Sequence, residues 1–175
     1  MHIRKARPAD LEVCLKLDHT VLTERAWRME EQEHSDAITV AFQTVRLPRQ
    51  VRLPYPREGQ ELYDGWAGCE LFVVEEGGQV GGYVALRPLP GHGLAWVQDL
   101  VVDAAKRRHG MGAHLLRAAA AQAVESGLRR LVVEVQTRND PGVCFCRSLG
   151  FSFCGYHDSH WRTQDIALLF GLNLR

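Results

Sequence analysis

The chain has 175 residues, 46% of them hydrophobic, and its 21 lysines and arginines balance 21 aspartates and glutamates. This length and composition suffice for one sizeable core, so we expect a single domain over residues 1–175. The balanced charge excludes a global field that would draw the chain to nucleic acid or to an anionic membrane, and no apolar run reaches the length of a membrane span.

The first residues carry charges where a signal peptide needs an apolar segment, which predicts a cytoplasmic protein. Residues 3–6 predict a short strand, and Pro8 with Asp10 predicts a helix start, because proline suits the first turn and a carboxylate complements the helix dipole. The charged segment 18–33 has a helical pattern and is interpreted as a surface helix, with a lid or substrate wall as the alternative. Residues 37–53 alternate as an edge strand or a long loop does.

The clearest elements lie in the central and C-terminal parts of the chain. Strands at 70–75 and 80–86 are joined by Glu-Gly-Gly-Gln, a glycine-rich turn that predicts an antiparallel hairpin. Apolar residues at helical spacing over 113–125, followed by Gly127, predict the best helix of the chain. The remaining predicted elements are strands at 94–102, 131–135, 151–156 and 165–174 and a short helix at 141–149.

The segment 107–112, Arg-Arg-His-Gly-Met-Gly, connects the strand at 94–102 to the helix at 113–125. Its two glycines allow a sharp turn that points several N–H groups in one direction at the positive end of a helix dipole, as in phosphate-binding loops. A dinucleotide fingerprint needs a third glycine where Leu115 stands, and a Walker loop needs a Gly-Lys-Ser/Thr that is absent. The segment therefore predicts a ligand with a pyrophosphate, held by another kind of loop, and a purely structural turn is the alternative.

Five cysteines without a secretory context predict reduced thiols rather than disulfides. Cys144 and Cys146 are close in sequence, but no second pair of Cys or His lies nearby at the spacing of metal ligands. No metal is accordingly expected.

Two motifs together resemble the acetyl-CoA signature of the GNAT superfamily of acyl-CoA-dependent N-acyltransferases. One is Leu-Val-Val followed by Arg107-x-x-Gly110-x-Gly112, and the other is Asn139 followed by Phe-Cys-Arg-Ser-Leu-Gly-Phe at 145–151. Within the superfamily, the segments 96–100, 134–139 and 166–170 are similar to streptothricin acetyltransferases. The resemblance implies an α/β (α+β) fold with a mixed, mostly antiparallel, twisted sheet, helices on both faces, and a splay after the strand that ends at Val102.

The resemblance also implies acetyl-CoA as co-substrate and assigns residues to it. Backbone groups of the glycine loop would hold the pyrophosphate, the strand before the loop would pair with the pantetheine arm, and residues before and within the short helix would line the cofactor channel. The implied acetyl-CoA-binding residues are Leu100, Val101, Val102, Arg107, Arg108, His109, Gly110, Met111, Gly112, Ala113, Asn139 and Phe145.

Direct attack of an amine on a thioester requires loss of the amine proton, and a hydrogen-bond donor assists the departing thiolate. The superfamily's usual donor is a tyrosine in the short helix, where this sequence has Cys146. Gln98 stands where streptothricin-type members carry glutamate and can orient a water, while the adjacent Asp99 is a candidate base or a salt-bridge partner. Because side chains alternate along a strand, we expect Gln98 and Asp99 to point to opposite faces. His157 and His160 suit an amine chemically but are interpreted as surface residues.

We therefore expect an N-acetyltransferase that transfers an acetyl group from acetyl-CoA to a primary amine of a small molecule or protein within a ternary complex. A covalent scheme through Cys146 ranks behind it, because the sequence shows no Cys–His pairing. The alternatives are a catalytically weak or inactive acyl-CoA sensor, which the departures at Gln98 and Cys146 motivate, and a protein that binds another nucleotide. A homodimer is left open, and neither nucleic acid nor membrane is an expected partner.

Overall fold

The computed structural model describes residues 1–174. In chain order the elements are β1 (His2–Lys5), α1 (Pro8–Lys16), β2 (Val21–Glu33), β3 (Ile38–Leu53), α2 (Gly59–Gly65), β4 (Glu70–Glu76), β5 (Gln79–Leu89), β6 (Leu94–Val102), α3 (Met111–Glu125), β7 (Arg130–Gln136), α4 (Asp140–Ser148), β8 (Ser152–His157) and β9 (Ala167–Asn173). Short 3₁₀ turns occupy Pro90–His92 and Ala104–Lys106. Within these residues, no helix combines the length and hydropathy that a membrane crossing requires.

A seven-stranded sheet in the order β1-β4-β5-β6-β7-β9-β8 forms the body of the protein. Its pairings are antiparallel except for β6 with β7, which run parallel because α3 connects them. On one face, Val73 and Tyr83 of the sheet pack with Cys14 of α1 and Leu62 of α2. On the other face, the apolar side of α3, which includes Leu115, joins the larger core cluster. The predicted mixed, mostly antiparallel sheet with helices on both faces is confirmed.

The segment 18–33 corrects the sequence-based interpretation, because most of it is strand β2 and not a helix. It pairs with β3 in a separate two-stranded ribbon, from Val21 opposite Leu53 to Glu33 opposite Ile38. Both strands of this ribbon are largely exposed, so charged side chains occupy both faces and the alternation typical of a half-buried strand is missing. Of the two alternatives for residues 37–53, the structure has the strand and not the long loop, whereas helix α2 was not predicted.

Strand β6 has two irregularities that shape the centre of the sheet. It pairs with β7 only over Leu94–Val97, so the two strands part beyond that point and the β7-facing side of the rest of β6 has no strand partner among residues 1–174. Against β5 its register shifts between Val97 and Asp99, which leaves Gln98 as an extra, bulged residue. The splay thus begins inside β6, earlier than its end at Val102.

Candidate active site

A cleft opens where β6 and β7 part, and α4 forms one of its walls. Side chains of β6, β7, α4 and of the segments before α2 and β9 surround it. Its lining residues are Tyr55, Pro56, Arg57, Val97, Gln98, Leu100, Val133, Glu134, Val135, Gln136, Asn139, Gly142, Phe145, Cys146 and Trp161.

The carboxylate of Asp99 is fully buried beside this cleft and is saturated with donors. It accepts hydrogen bonds from the Tyr55 hydroxyl at 2.7 Å, from Arg57 Nη2 at 3.0 Å and from Trp66 Nε1 at 3.2 Å. Desolvation, and after it the Asp99 carboxylate, raise the pKa of Tyr55, so its hydroxyl remains a donor. This arrangement holds α2 and the preceding segment against β6.

Gln98 lies on the same side as Asp99, contrary to the expectation from simple alternation. Its Nε2 donates to the carbonyl of Gly65 at 2.5 Å, and its Oε1 accepts from Arg87 Nε at 2.8 Å. Trp66, the neighbour of Gly65, contacts Asp99, so both side chains reach the end of α2. The bulge explains this, because two successive residues on a bulged strand can share a face.

Arg57 and Glu134 connect Asp99 to the opposite strand of the splay. Arg57 Nη2 donates to Asp99 and, at 2.9 Å, to Glu134 Oε1, and it also contacts the carbonyl of Gln98. The Glu134 side chain, which is 5% exposed, accepts from Trp96 Nε1 through Oε2 at 2.8 Å. Burial alone would raise the pKa of Glu134, but His160 and Arg57 outweigh it and hold this pKa below its ordinary value.

His160 completes this cluster from the segment between β8 and β9. Its Nε2 lies 2.8 Å from Glu134 Oε2, and its side chain is 23% exposed. Sequence reasoning interpreted this residue as a surface histidine and assigned no role to Arg57. The sequence signal that could have revealed this cluster is Glu134, a single glutamate among the apolar residues of β7, because a buried carboxylate requires partners.

Cys146 lies in α4 against the cleft and is almost completely buried. Burial raises the pKa of its thiol to about 12. The thiol is therefore protonated near neutral pH. Within residues 1–174, no group of three His, Cys, Asp or Glu side chains is placed to hold a metal ion.

The glycine loop leads directly into α3, with Gly110 as the N-cap residue at φ +81°. Arg107 is half-buried, and its guanidinium donates to the carbonyls of Val102, Thr20 and Asp18 at 2.9, 2.6 and 3.0 Å. Arg108 and His109 are exposed beside the helix start, while Met111 is buried and Ala113 is partly buried. Arg107 thus has a structural role in the loop, whereas Arg108 and His109 remain exposed to solvent.

The remaining sequence-predicted residues lie on β6 and α4. Leu100 and Val102 are partly buried against the α3 face, and Val101 is buried on the α2 face. The side-chain carbonyl of Asn139 accepts from the Gly142 N–H at 2.9 Å and caps α4. A Cβ at Gly112 would lie 3.1 Å from Phe145 Cζ, so α3 and α4 approach closely only because residue 112 is glycine.

Two crystal structures share this fold over nearly the whole chain. That of nourseothricin acetyltransferase has a TM-score of 0.83 and 23% identity and covers 99% of this chain and 98% of that one. A Bacillus anthracis protein described as a streptothricin acetyltransferase, solved with acetyl coenzyme A, has a TM-score of 0.77 and 17% identity and covers 99% and 97%.

Sequence comparison finds the same kind of relatives. Streptothricin acetyltransferase of Streptomyces lavendulae is 28% identical over 162 residues, which are 87% of this chain and 82% of that protein. The model of the acetyltransferase (GNAT) family matches residues 26–151, well over half of the chain. The resemblance inferred from the glycine loop and the 145–151 motif is confirmed. The chain belongs to the acetyltransferase (GNAT) family, and it is an acyltransferase that uses acetyl-CoA as its co-substrate.

Proposed function

We propose that this protein acetylates a primary amine of a small molecule by direct attack of the amine on acetyl-CoA within a ternary complex. The observation that carries the proposal is the cleft between β6 and β7, which is bordered by a strand edge without a strand partner among residues 1–174 and by a buried, charge-paired cluster. The N-terminus of α3 lies next to it, with Gly112 close to the cleft residue Phe145. Each of the three supplies one requirement of the reaction.

The unpaired edge of β6 suits the pantetheine arm, because amide groups of an extended ligand can add to a sheet edge as another strand does. The N–H groups at the start of α3 suit the pyrophosphate, and the exposed Arg108 would add positive charge there. Phe145 and Asn139, which face the cleft from α4 and its cap, would line the arm. When bound, acetyl-CoA supplies the activated acetyl group, and this chain supplies binding, orientation and proton transfer.

The state of Cys146 favours direct attack over a covalent acetyl-enzyme. The nucleophilic form of cysteine is the thiolate, and a thiol with a pKa of about 12 is almost entirely protonated at neutral pH. The same value makes Cys146 a weaker acid than an ordinary thiol, whose pKa is about 8.5, so it is poorly suited to protonate a departing CoA thiolate. We assign Cys146 to the packing of α4.

The acceptor is inferred from the relatives. Streptothricin is a small molecule with amino groups, and the proteins named above are streptothricin and nourseothricin acetyltransferases. The β2–β3 ribbon packs on α4, where Trp27 Nε1 donates to Asp140 at 2.9 Å, and on β8, where Phe42 meets Tyr156 with ring centroids 5.3 Å apart. The ribbon therefore lies beside the α4 wall, and the residues that line the cleft lie outside the ribbon.

The test is release of free CoA thiol from acetyl-CoA in the presence of streptothricin, spermidine, L-lysine and a lysine-containing peptide. We expect release with at least one small amine, an acetylated product by mass spectrometry, and intersecting lines in double-reciprocal plots against the two substrates. Parallel lines would point to an acetyl-enzyme instead. Calorimetric binding of acetyl-CoA without turnover on any amine would refute the proposal and favour the non-catalytic alternative, which no observation supports at present.

A further inference from the structure

Removal of the amine proton needs a group that is able to take it, and His160 lies beside the cleft, in contact with the lining residue Glu134. We propose that His160 is the general base of the reaction and that Glu134 is the positioning residue that orients it. This inference rests on the proposed transfer to an amine.

The geometry around His160 fixes one side of its ring and leaves the other side available. Nε2 contacts Glu134 Oε2 at 2.8 Å, and the backbone N–H of His160 donates to the carbonyl of Asp165 at 3.1 Å. The ring of Trp161, which lines the cleft, packs edge-on against the imidazole with centroids 4.8 Å apart. Within residues 1–174, Nδ1 has no hydrogen-bond partner.

The neighbouring carboxylate determines which ring nitrogen can act. Glu134 stays ionised, because Arg57 and His160 hold its pKa low despite burial. An ionised carboxylate can only accept a hydrogen bond, so it selects the tautomer in which Nε2 carries hydrogen and Nδ1 carries the lone pair. The same carboxylate stabilises the imidazolium that forms when Nδ1 takes a proton, as the acid of a catalytic triad does.

The other candidate groups in the cleft or beside it are less suited to this task. Asp99 is fully buried and already accepts from three donors, and the amide of Gln98 cannot bind a proton. The Cys146 thiol is itself protonated. Glu134 accepts from Arg57, Trp96 and His160, whereas His160 combines partial exposure with an unengaged ring nitrogen.

In the proposed step the acceptor enters as an ammonium ion, and Nδ1 of His160 takes one proton to give the free amine. The amine nitrogen then bonds to the thioester carbonyl carbon, and the C–S bond breaks with its electron pair on sulfur. The remaining excess proton on nitrogen passes through water to the CoA thiolate. His160 returns its proton to solvent, so the net products are the amide, CoA thiol and one proton.

The decisive variant is His160→Gln, because glutamine can still donate to Glu134 but cannot take a proton. His157→Gln is the matched control, since its exposed ring lies 5.0 Å from that of His160. With the most reactive amine of the panel, we expect kcat to fall by about 10²–10³-fold in the first variant, with the KM for acetyl-CoA changed by less than about threefold. The control should retain at least about half of the wild-type kcat, as expected for a residue outside the proton-transfer step.

The pH-rate profile separates a chemical role from a structural one. The charged and titratable groups that face the imidazole are Glu134 and His157, with Arg57 behind the carboxylate. The acidic limb that a histidine base produces should be absent in His160→Gln and present in His157→Gln. Glu134→Gln should lower kcat and keep the acidic limb, because His160 can still take a proton but is no longer oriented by an ionised carboxylate.

Each outcome decides the question. A His160→Gln enzyme within about fivefold of wild-type kcat, or one that retains the acidic limb, overturns His160 as the base while leaving the proposed function intact. A wild-type protein that acetylates no amine defeats the proposed function, and the inference falls with it. Recovery of activity in His160→Ala by added imidazole supports the base role. If imidazole does not restore activity in His160→Ala and His160→Gln is thermally destabilised, His160 has a structural role instead.

Discussion

Substitution of Arg57 by methionine tests whether the buried charge cluster holds the two sides of the cleft together. Arg57 is the cation that Asp99 and Glu134 share, and the two carboxylates are 0% and 5% exposed. Methionine has a similar length and fills similar space without charge. The variant therefore removes the charge and leaves most of the packing in place.

The expected loss of stability follows from the burial of both partners. Removal of one member of a buried ion pair costs about 3–5 kcal/mol, because the remaining charge is left uncompensated. Asp99 keeps Tyr55 and Trp66 as donors, and Glu134 keeps its contacts to Trp96 and His160, so we place the loss near 4 kcal/mol rather than higher. For a domain of this size that corresponds to a fall in Tm of roughly 8–16 °C.

The dependence on pH distinguishes the lost charge from lost packing. In the wild-type protein the pKa of Glu134 is lowered, so its pairing stabilises the fold above the unfolded pKa of about 4.3, and this contribution is lost as pH falls through the folded pKa. Without Arg57, the pKa of this carboxyl is higher than in the wild-type protein, because one of the groups that lower it is gone, and protonation then relieves part of the cost. The deficit relative to wild type should consequently be smaller at pH 5 than at pH 8.

The assay is urea unfolding followed by tryptophan fluorescence at both pH values, with Arg28→Met as the control. Arg28 pairs with Glu30 on the ribbon, and the two side chains are 62% and 44% exposed, so its loss should cost less than about 0.5 kcal/mol. Equal losses in the two variants, or an Arg57→Met deficit that does not change between pH 5 and pH 8, would show that the reasoning about the cluster is wrong.

Three further experiments, with five substitutions in all, separate binding, packing and chemistry. Gly112→Val should destabilise the protein by about 1–3 kcal/mol and weaken acetyl-CoA binding in calorimetry by about tenfold, because its Cβ meets the ring of Phe145 at 3.1 Å. Gly91→Val is the control and should change neither quantity, because a Cβ there has no atom within 4 Å. Cys146→Ala should keep kcat within about threefold while costing about 1–2 kcal/mol of stability, and a larger fall in kcat without a change in KM would restore Cys146 to the mechanism. Arg107→Ala should lower stability by about 2–3 kcal/mol in thermal unfolding, because three carbonyls lose a charged donor. Arg108→Ala should instead weaken acetyl-CoA binding with little loss of stability, and the reverse pattern would contradict these separate roles of the two arginines.

Most of the sheet could be predicted from local patterns because its elements carry their own signals. The glycine turn between β4 and β5 and the helical spacing of α3 are both contained within a few residues of sequence. Strand β2 of the ribbon could not be predicted in this way, because an exposed strand that pairs only with its neighbour has no buried face and therefore no alternation of apolar and polar residues. Its partner lies beyond the segment whose charges suggested a helix.

The candidate site was only partly predictable because its contacts join distant parts of the chain. Glu134 stands out locally as a carboxylate in an apolar strand, but its partners Arg57 and His160 lie 77 and 26 residues away. The shared face of Gln98 and Asp99 depends on a register shift against β5, and such a shift leaves no mark in the amino-acid pattern of β6 alone.

The bulge at Gln98 also bears on how β6 can vary among related proteins. Before it, Ala95 and Val97 belong to the cluster under α3, and after it Val101 belongs to the cluster under α2. Removal of a single residue would turn Val101 to the opposite face of the sheet and turn Asp99 away from its donors. Replacement of one aliphatic side chain by another would cost only about 1 kcal/mol. In this strand the number of residues is therefore under stronger constraint than their identity.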